Sequence, residues 1–241
     1  MRVAVIIPTL DDAESLAGLL SRLTHLNPVA DELIVVGGTA SCELACRSAG
    51  AVWVAGHTAR GGQLALGAAR ARADVLWFLR TDCEPHSSAV AALCGAVQAG
   101  AAGGYFRFRF AGPRTRIKHA LERCIGLRAR IGTVYGDQGL FVTRAAYEAT
   151  PGFTLQPLFE EVALVRALKR TGRFVALPLP LAVSAHRWEC EGFLRRALAD
   201  RLLVLAFMCG VAPARLARWR GARAQPAPAG YGRRRDTALR L

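Results

Sequence analysis

The chain has 241 residues, a hydrophobic fraction of 52% and a formal net charge of +14. That length suits one large domain or two small ones with a substantial core, and no uninterrupted apolar run reaches the roughly 18 residues of a spanning helix. Seven scattered cysteines argue against a disulfide framework and place the chain in a reducing, cytoplasmic setting, and Cys42 and Cys46 have no histidine nearby to complete a zinc pattern.

The opening run, Val3-Ala4-Val5-Ile6-Ile7-Pro8, follows a single basic residue and reads as a first strand, not a secretory signal. Helical spacing at 12–23 puts Leu16, Leu19, Leu20 and Leu23 on one face, with Asp11 or Asp12 as N-cap. Further strands are predicted at 33–36, 52–54 and 75–79, with helices at 40–49, 61–73 and 86–98. Such alternation with short connections predicts an α/β fold built on a doubly wound, mostly parallel sheet. The strand at 75–79 runs on through Arg80 and Thr81 to Asp82. Ligands of open sheets collect at the carboxyl ends of strands, so Asp82 is free to hold a divalent metal or a ribose hydroxyl. A solvated loop aspartate is the plainer reading.

After Gly103-Gly104, aromatics at 106, 108 and 110 alternate with Arg107 and Arg109, the period of a strand with one apolar and one cationic face. An amphipathic edge or mixed-sheet strand accounts for it without a substrate role. Gly136 and Gly139 bracket Asp137-Gln138, which permits a tight turn or close approach of backbone to a ligand. Glu160 and Glu161 precede a helix carrying Leu164, Val165 and Leu168; they complement its dipole or supply a proton acceptor. Ser184, His186, Arg187, Trp188 and Glu189 crowd a predicted loop, a setting that more often carries function than packing. The segment 193–218 has an apolar centre at 202–208 flanked by arginines at 195, 196, 201, 215, 218 and 220. It is too short to span a bilayer and packs on the domain or lies in an anionic membrane interface, at the inner face of the membrane. A basic tail, 220–241, reads as disordered. No helix-turn-helix, zinc-finger or aromatic RNA-binding pattern accompanies the charge, so no specific nucleic-acid partner is expected.

Taken in order, the segments 3–13, 60–67, 78–82, 103–110, 136–141, 159–162 and 184–189 resemble the family 2 glycosyltransferases of the GT-A fold. The likeness covers roughly residues 2 to 219 and is closest to a bacterial subgroup of arsenosugar-biosynthesis type. It implies an inverting enzyme that transfers a sugar from a nucleotide-diphosphate donor to an acceptor hydroxyl with a divalent metal, Mg²⁺ or Mn²⁺. By the same resemblance Pro8, Thr9, Asp12, Arg60, Arg80 and Asp82 serve the donor. Asp82 and His186 serve the metal, and Asp137, Gln138, Arg187 and Trp188 the acceptor. Glu161, preceded by Glu160, is the catalytic base.

The chain departs from the family pattern at three donor-side positions. Val36-Gly37-Gly38-Thr39 lacks the usual carboxylate, Ala65 replaces an asparagine, and Arg80 stands where a histidine or acid is common. Each loss removes a polar contact, worth about 1.5–3 kcal/mol when charged. Arg80 can compensate by gripping the diphosphate. The competing expectation is a catalytically impaired member that acts as a binding or scaffold protein.

Overall fold

The structure is a computed structural model that describes residues 1–56 and 59–221. Of the predicted tail, Arg220 and Gly221 are described, and the stretch with Arg223, Arg233, Arg234, Arg235 and Arg240 lies outside the described residues. The first half runs β1 (Val3–Thr9), α1 (Ala13–Thr24), β2 (Glu32–Gly37), α2 (Ala40–Ser48), β3 (Val52–Val54), α3 (Arg60–Arg70), β4 (Val75–Phe78), β5 (Cys83–Pro85) and α4 (Ala89–Gln98). There follow β6 (Gly103–Phe110), α5 (Arg116–Ile131), β7 (Phe141–Thr143), α6 (Arg144–Glu148), α7 (Val162–Thr171) and β8 (Phe174–Val183). Three helices close the described chain: α8 (His186–Glu191), α9 (Phe193–Met208) and α10 (Pro213–Trp219).

The strands form one sheet in the order β3-β2-β1-β4-β7-β6-β8-β5. The pairs β1–β2, β1–β4, β2–β3 and β6–β8 are parallel. Only β7 and β5 run against their neighbours, so the expected mostly parallel α/β sheet is present. All seven residues of β1 are buried, as a central strand covered on both faces requires. Its Val3, Val5 and Ile7 share one core layer with Leu16, Leu19, Leu20 and Leu23 of α1. Ala4 and Ile6 face the other layer with Leu64 and Ala68 of α3. Asp12 caps α1, its Oδ1 accepting from the Ser15 N–H at 3.3 Å.

The alternation in β6 holds: Phe106, Phe108 and Phe110 are buried while Arg107 and Arg109 are exposed on the opposite face. The strand lies inside the mixed sheet, between β7 and β8. Several boundaries differ from expectation. α3 stops at Arg70 because Ala71 is extended. The predicted helix at 86–98 begins only at Ala89, since 83–85 are drawn into pairing with 181–183 of β8. The predicted loop at 184–189 is a loop only as far as Ala185, the N-cap of α8, which begins at His186. The segment 193–218 is two helices, broken at Gly210 with φ 87° and restarted at Pro213.

Candidate active site

In the sheet order, β2 lies on one side of β1 and β4 on the other, which makes the β1/β4 boundary the point where the winding reverses. The carboxyl ends of these two strands therefore open a crevice, the usual ligand position in such sheets. At the β1 end, Pro8 is paired in register with Val36. The Thr9 carbonyl accepts from the Gln63 amide at 2.9 Å, and the buried Thr9 hydroxyl has no partner. Asp12 bridges to the β4 end: its Oδ2 accepts from the Thr81 hydroxyl at 3.4 Å. Asp11 accepts from the Thr39 hydroxyl at 3.0 Å. A carboxylate thus stands beside the end of β2, where the sequence of that strand's own loop has none.

A cavity of about 1500 Å³ lies next to this edge, lined by Arg60, Arg80, Asp82, Asp137, Glu160 and Glu161 at one end. Leu202, Leu205, Met208 and Trp219 line the other. The sequence reading gave Asp82 a free carboxylate. Instead Arg80 forks onto it, Nε to Oδ1 and Nη2 to Oδ2, both at 2.9 Å. Burial pushes the Asp82 carboxyl up, and the Arg80 fork more than offsets this, so the group is held below its ordinary value. Among the described residues no group of three or more His, Cys, Asp or Glu side chains is placed to hold a metal ion. One carboxylate with substrate phosphates and water is, however, an ordinary Mg²⁺ arrangement. Asp82, which lines the cavity, has the chemistry for that role.

The opposite wall is built around two close approaches. A Cβ on Gly61 would fall inside the carbonyl oxygen of Thr154, and one on Gly136 would fall inside the Arg60 guanidinium. These bare positions let Arg60 pass Gly136 and form its ion pair with Glu160. The Gly136 N–H in turn donates to Glu161 Oε1 at 2.9 Å. Glu161 Oε2 is buried and has no partner. Burial, and then the neighbouring Glu160 charge, push the Glu161 carboxyl up from its ordinary 4.5 to about 7, against the pull of Arg60. The two adjacent glutamates are thereby made different: one is ion-paired, the other is poised to exchange a proton near neutral pH.

The remaining predicted residues separate into two groups. Asp137 lines the cavity and its Oδ1 is buried without a partner. Arg187 also lines it, and its charge reaches Asp82. Trp188 reaches the same cavity but packs edge-on to Phe110, with the Arg196 guanidinium 5.2 Å from its ring centre. Gln138 is fully buried, accepts from Arg128 at 3.3 Å and does not line this cavity. His186 is not brought to Asp82: its exposed ring lies 3.7 Å from Cys190 Sγ, outside the cavity lining. Helical winding from Ala185 turns successive side chains about 100° apart, which sends Arg187 inward in its place. Gln63, which this chain keeps from the family pattern, straps α3 to β1, and Phe159, inside the matched segment 159–162, has a φ of 62° that is rare for a bulky residue and a ring that stacks on Phe207 of α9 at 4.5 Å. That stacked pair joins the loop before the glutamates to the apolar end of the cavity.

No family model and no curated protein matches the chain. Solved structures do. A crystal structure of a mycobacterial protein aligns with TM-score 0.53 at 23% identity, covering 76% of this chain and 65% of that one, just under two thirds of its length. Glucosyl-3-phosphoglycerate synthase from Mycobacterium tuberculosis in complex with phosphoglyceric acid aligns with TM-score 0.59 at 21% identity, covering 87% and 80%. The same enzyme with Mn²⁺ and uridine-diphosphate-glucose aligns with TM-score 0.59 at 20% identity, covering 87% and 79%. At such identities the likeness establishes the fold alone: this chain has the GT-A fold.

Proposed function

We propose that this protein is a glycosyltransferase that moves a sugar from a nucleotide-diphosphate donor to an acceptor hydroxyl with inversion. The observation that carries the reading is the set of unpartnered polar atoms at one edge of the sheet: Thr9 Oγ1, Asp137 Oδ1 and Glu161 Oε2. Buried polar atoms without partners cost about 1–3 kcal/mol each, and native structures tolerate few of them outside ligand sites. The roles follow from position. Thr9 and Asp12 flank the nucleoside, and Arg60, Arg80 and Arg187 face the charge that grows on the leaving diphosphate. A divalent metal on Asp82 would add Lewis-acid stabilisation of that same charge. Glu161 takes the proton of the attacking hydroxyl, with Gly136 N–H fixing its orientation. The complex of glucosyl-3-phosphoglycerate synthase with Mn²⁺, uridine diphosphate and glucosyl-3-phosphoglycerate is consistent with this assignment.

The reading includes the arsenosugar-type subgroup likeness and a peripheral position on an anionic membrane. The latter rests on α9, whose Leu194, Leu198, Leu202, Leu205 and Met208 are all exposed. They follow helical spacing on one side, with Arg195 and Arg201 beside them. A second reading, a binding or scaffold protein, draws on the Arg80–Asp82 fork, which engages both oxygens of the metal-facing carboxylate. A thermal-shift screen of nucleoside diphosphates and their sugars, with and without Mn²⁺, separates the two. The transferase reading requires stabilisation by one nucleotide family and enhancement by the metal, a ligand at 100 times its Kd contributing about 2.7 kcal/mol. Stabilisation by nucleotide with no transfer to any acceptor favours the scaffold.

A further inference from the structure

A second concavity lies across α5 from the cavity described above. It has a volume of about 830 Å³ and is lined by Arg107 and Arg109 of β6 and Arg123 and Arg130 of α5, over a floor that includes Tyr105 and Leu177. On a helix turning 100° per residue, positions 123, 126, 127 and 130 share one flank, and Arg128, which lines the first cavity, points about 140° from Arg123. The volume lies within the roughly 300–1,000 Å³ of small-molecule sites.

Three observations say what this cleft is built for. Among the described residues, none of Arg107, Arg109, Arg123 and Arg130 has a carboxylate partner. The acid in the lining, Glu122, is already engaged, its Oε1 accepting from the Phe110 N–H at 2.9 Å and from Arg114 at 3.0 Å. Like charges gathered in a concavity repel one another and focus a positive potential outward. Gln138, fully buried, also lines the cleft, and its Nε2 has no acceptor although its Oε1 is bonded to Arg128. The cleft is also left open by sequence: a Cβ on Gly126 would meet nothing within 4 Å.

We propose that this cleft is a binding site for a molecule carrying two or more phosphate groups. Arginine forks suit phosphate oxygens, the Gln138 amide supplies a further donor at the buried end, and Tyr105 and Leu177 take an apolar portion. The site stands independently of the transferase reading, because it shares no charged group with that cavity. The chemistry fits a free polyphosphorylated solute and a phospholipid headgroup alike.

Calorimetric titration of the full chain with inorganic tripolyphosphate at about 0.15 M salt tests it. Wild type is expected to bind, and the R107S/R109S variant to bind at least about tenfold more weakly, one charged hydrogen bond being worth that much. Both arginines are exposed and unpaired, so the variant keeps its melting temperature. Gly126→Glu, which places a carboxylate in open space, is expected to weaken binding similarly. An R70S/R72S variant removes the same charge at the far end of α3 and is expected to bind as wild type. Equal weakening in R70S/R72S would reduce the effect to net charge, and full affinity in R107S/R109S would place the ligand in the first cavity. Either result overturns the proposal, as does no binding by wild type. Flotation with vesicles of a phosphatidylinositol bisphosphate in phosphatidylcholine, competed by tripolyphosphate and lost in R107S/R109S, assigns the headgroup as source; tripolyphosphate binding without such flotation assigns a free solute.

Discussion

Glu160 and Glu161 are chemically identical neighbours that the fold makes unlike, and the difference lies in what each oxygen meets. Glu160 faces Arg60, whereas Glu161 has one oxygen on the Gly136 N–H and the other unpartnered in a buried wall. General bases contribute about 10²–10⁴ in rate, so Glu161→Gln should lower kcat by about that factor while leaving donor Kd within error. Glu161→Asp should keep more activity than the Gln variant. Glu160→Gln should act differently, raising Km through the released Arg60. Equal, small losses in both Gln variants, measured by steady-state kinetics, would transfer the base role to Asp137. The pH dependence has a defined sign. With the folded Glu161 carboxyl raised from 4.5 to about 7, the folded chain binds more protons than the unfolded one across that window. Its stabilising contribution is therefore full below about pH 4.5 and lost as pH rises through about 7, whereas kcat rises through the same upper limit. Glu161→Gln should flatten both curves, as read by denaturant titration and by initial rates between pH 5 and 8. Asp82→Ala makes a separate prediction: it leaves Arg80 unpaired and should abolish Mn²⁺-dependent donor binding while the chain stays folded, which calorimetry with and without the metal will show.

At the scale of elements, the site depends on how closely α3 and the strand-edge loops approach. Gly61→Ala sets a methyl group against the Thr154 carbonyl oxygen, which is backbone and cannot swing aside. The substitution should cost about 1–3 kcal/mol by overpacking, seen as a lower midpoint in urea, even though alanine favours helix. Gly136→Ala meets the far end of the Arg60 side chain instead and should damage activity more than stability. These approaches explain how much of the molecule its sequence discloses. The strands and helices of the first half are legible from the spacing of their apolar residues, most clearly in α1, where Leu16, Leu19, Leu20 and Leu23 follow the Asp12 cap. The alternating β6 declares its two faces for the same reason. β5 is not legible, since three residues have no period and form a strand only by pairing with 181–183, far along the chain. The site was legible as a set of residue types and not as a set of contacts. Sequence puts Arg80 two positions from Asp82 without saying that they pair, and it cannot show that His186 turns away while Arg187 turns in. Gln63 belongs to the family pattern, but its part in joining α3 to β1 exists only once the two are packed.

For the whole molecule, the cavity runs from a charged end at the sheet edge to the leucine side of α9, with Phe159 on Phe207 between them. No helix among the described residues is long and apolar enough to cross a membrane. If the exposed leucines of α9 rest in a bilayer interface, the full chain should sediment with anionic vesicles at low salt and be released at high salt. Leu202→Asp with Leu205→Asp should abolish sedimentation, and a wild type that ignores vesicles at low salt rules the contact out. The most direct test of the account as a whole is release of nucleoside diphosphate from a panel of nucleotide sugars with Mn²⁺, comparing wild type with Glu161→Gln at pH 6 and pH 8. The account predicts turnover by wild type with one donor, faster at pH 8, and a loss of about a hundredfold or more in the variant, which that donor still protects against thermal unfolding. Undiminished turnover in the variant, or no donor that either stabilises or is consumed by the wild type, would contradict it.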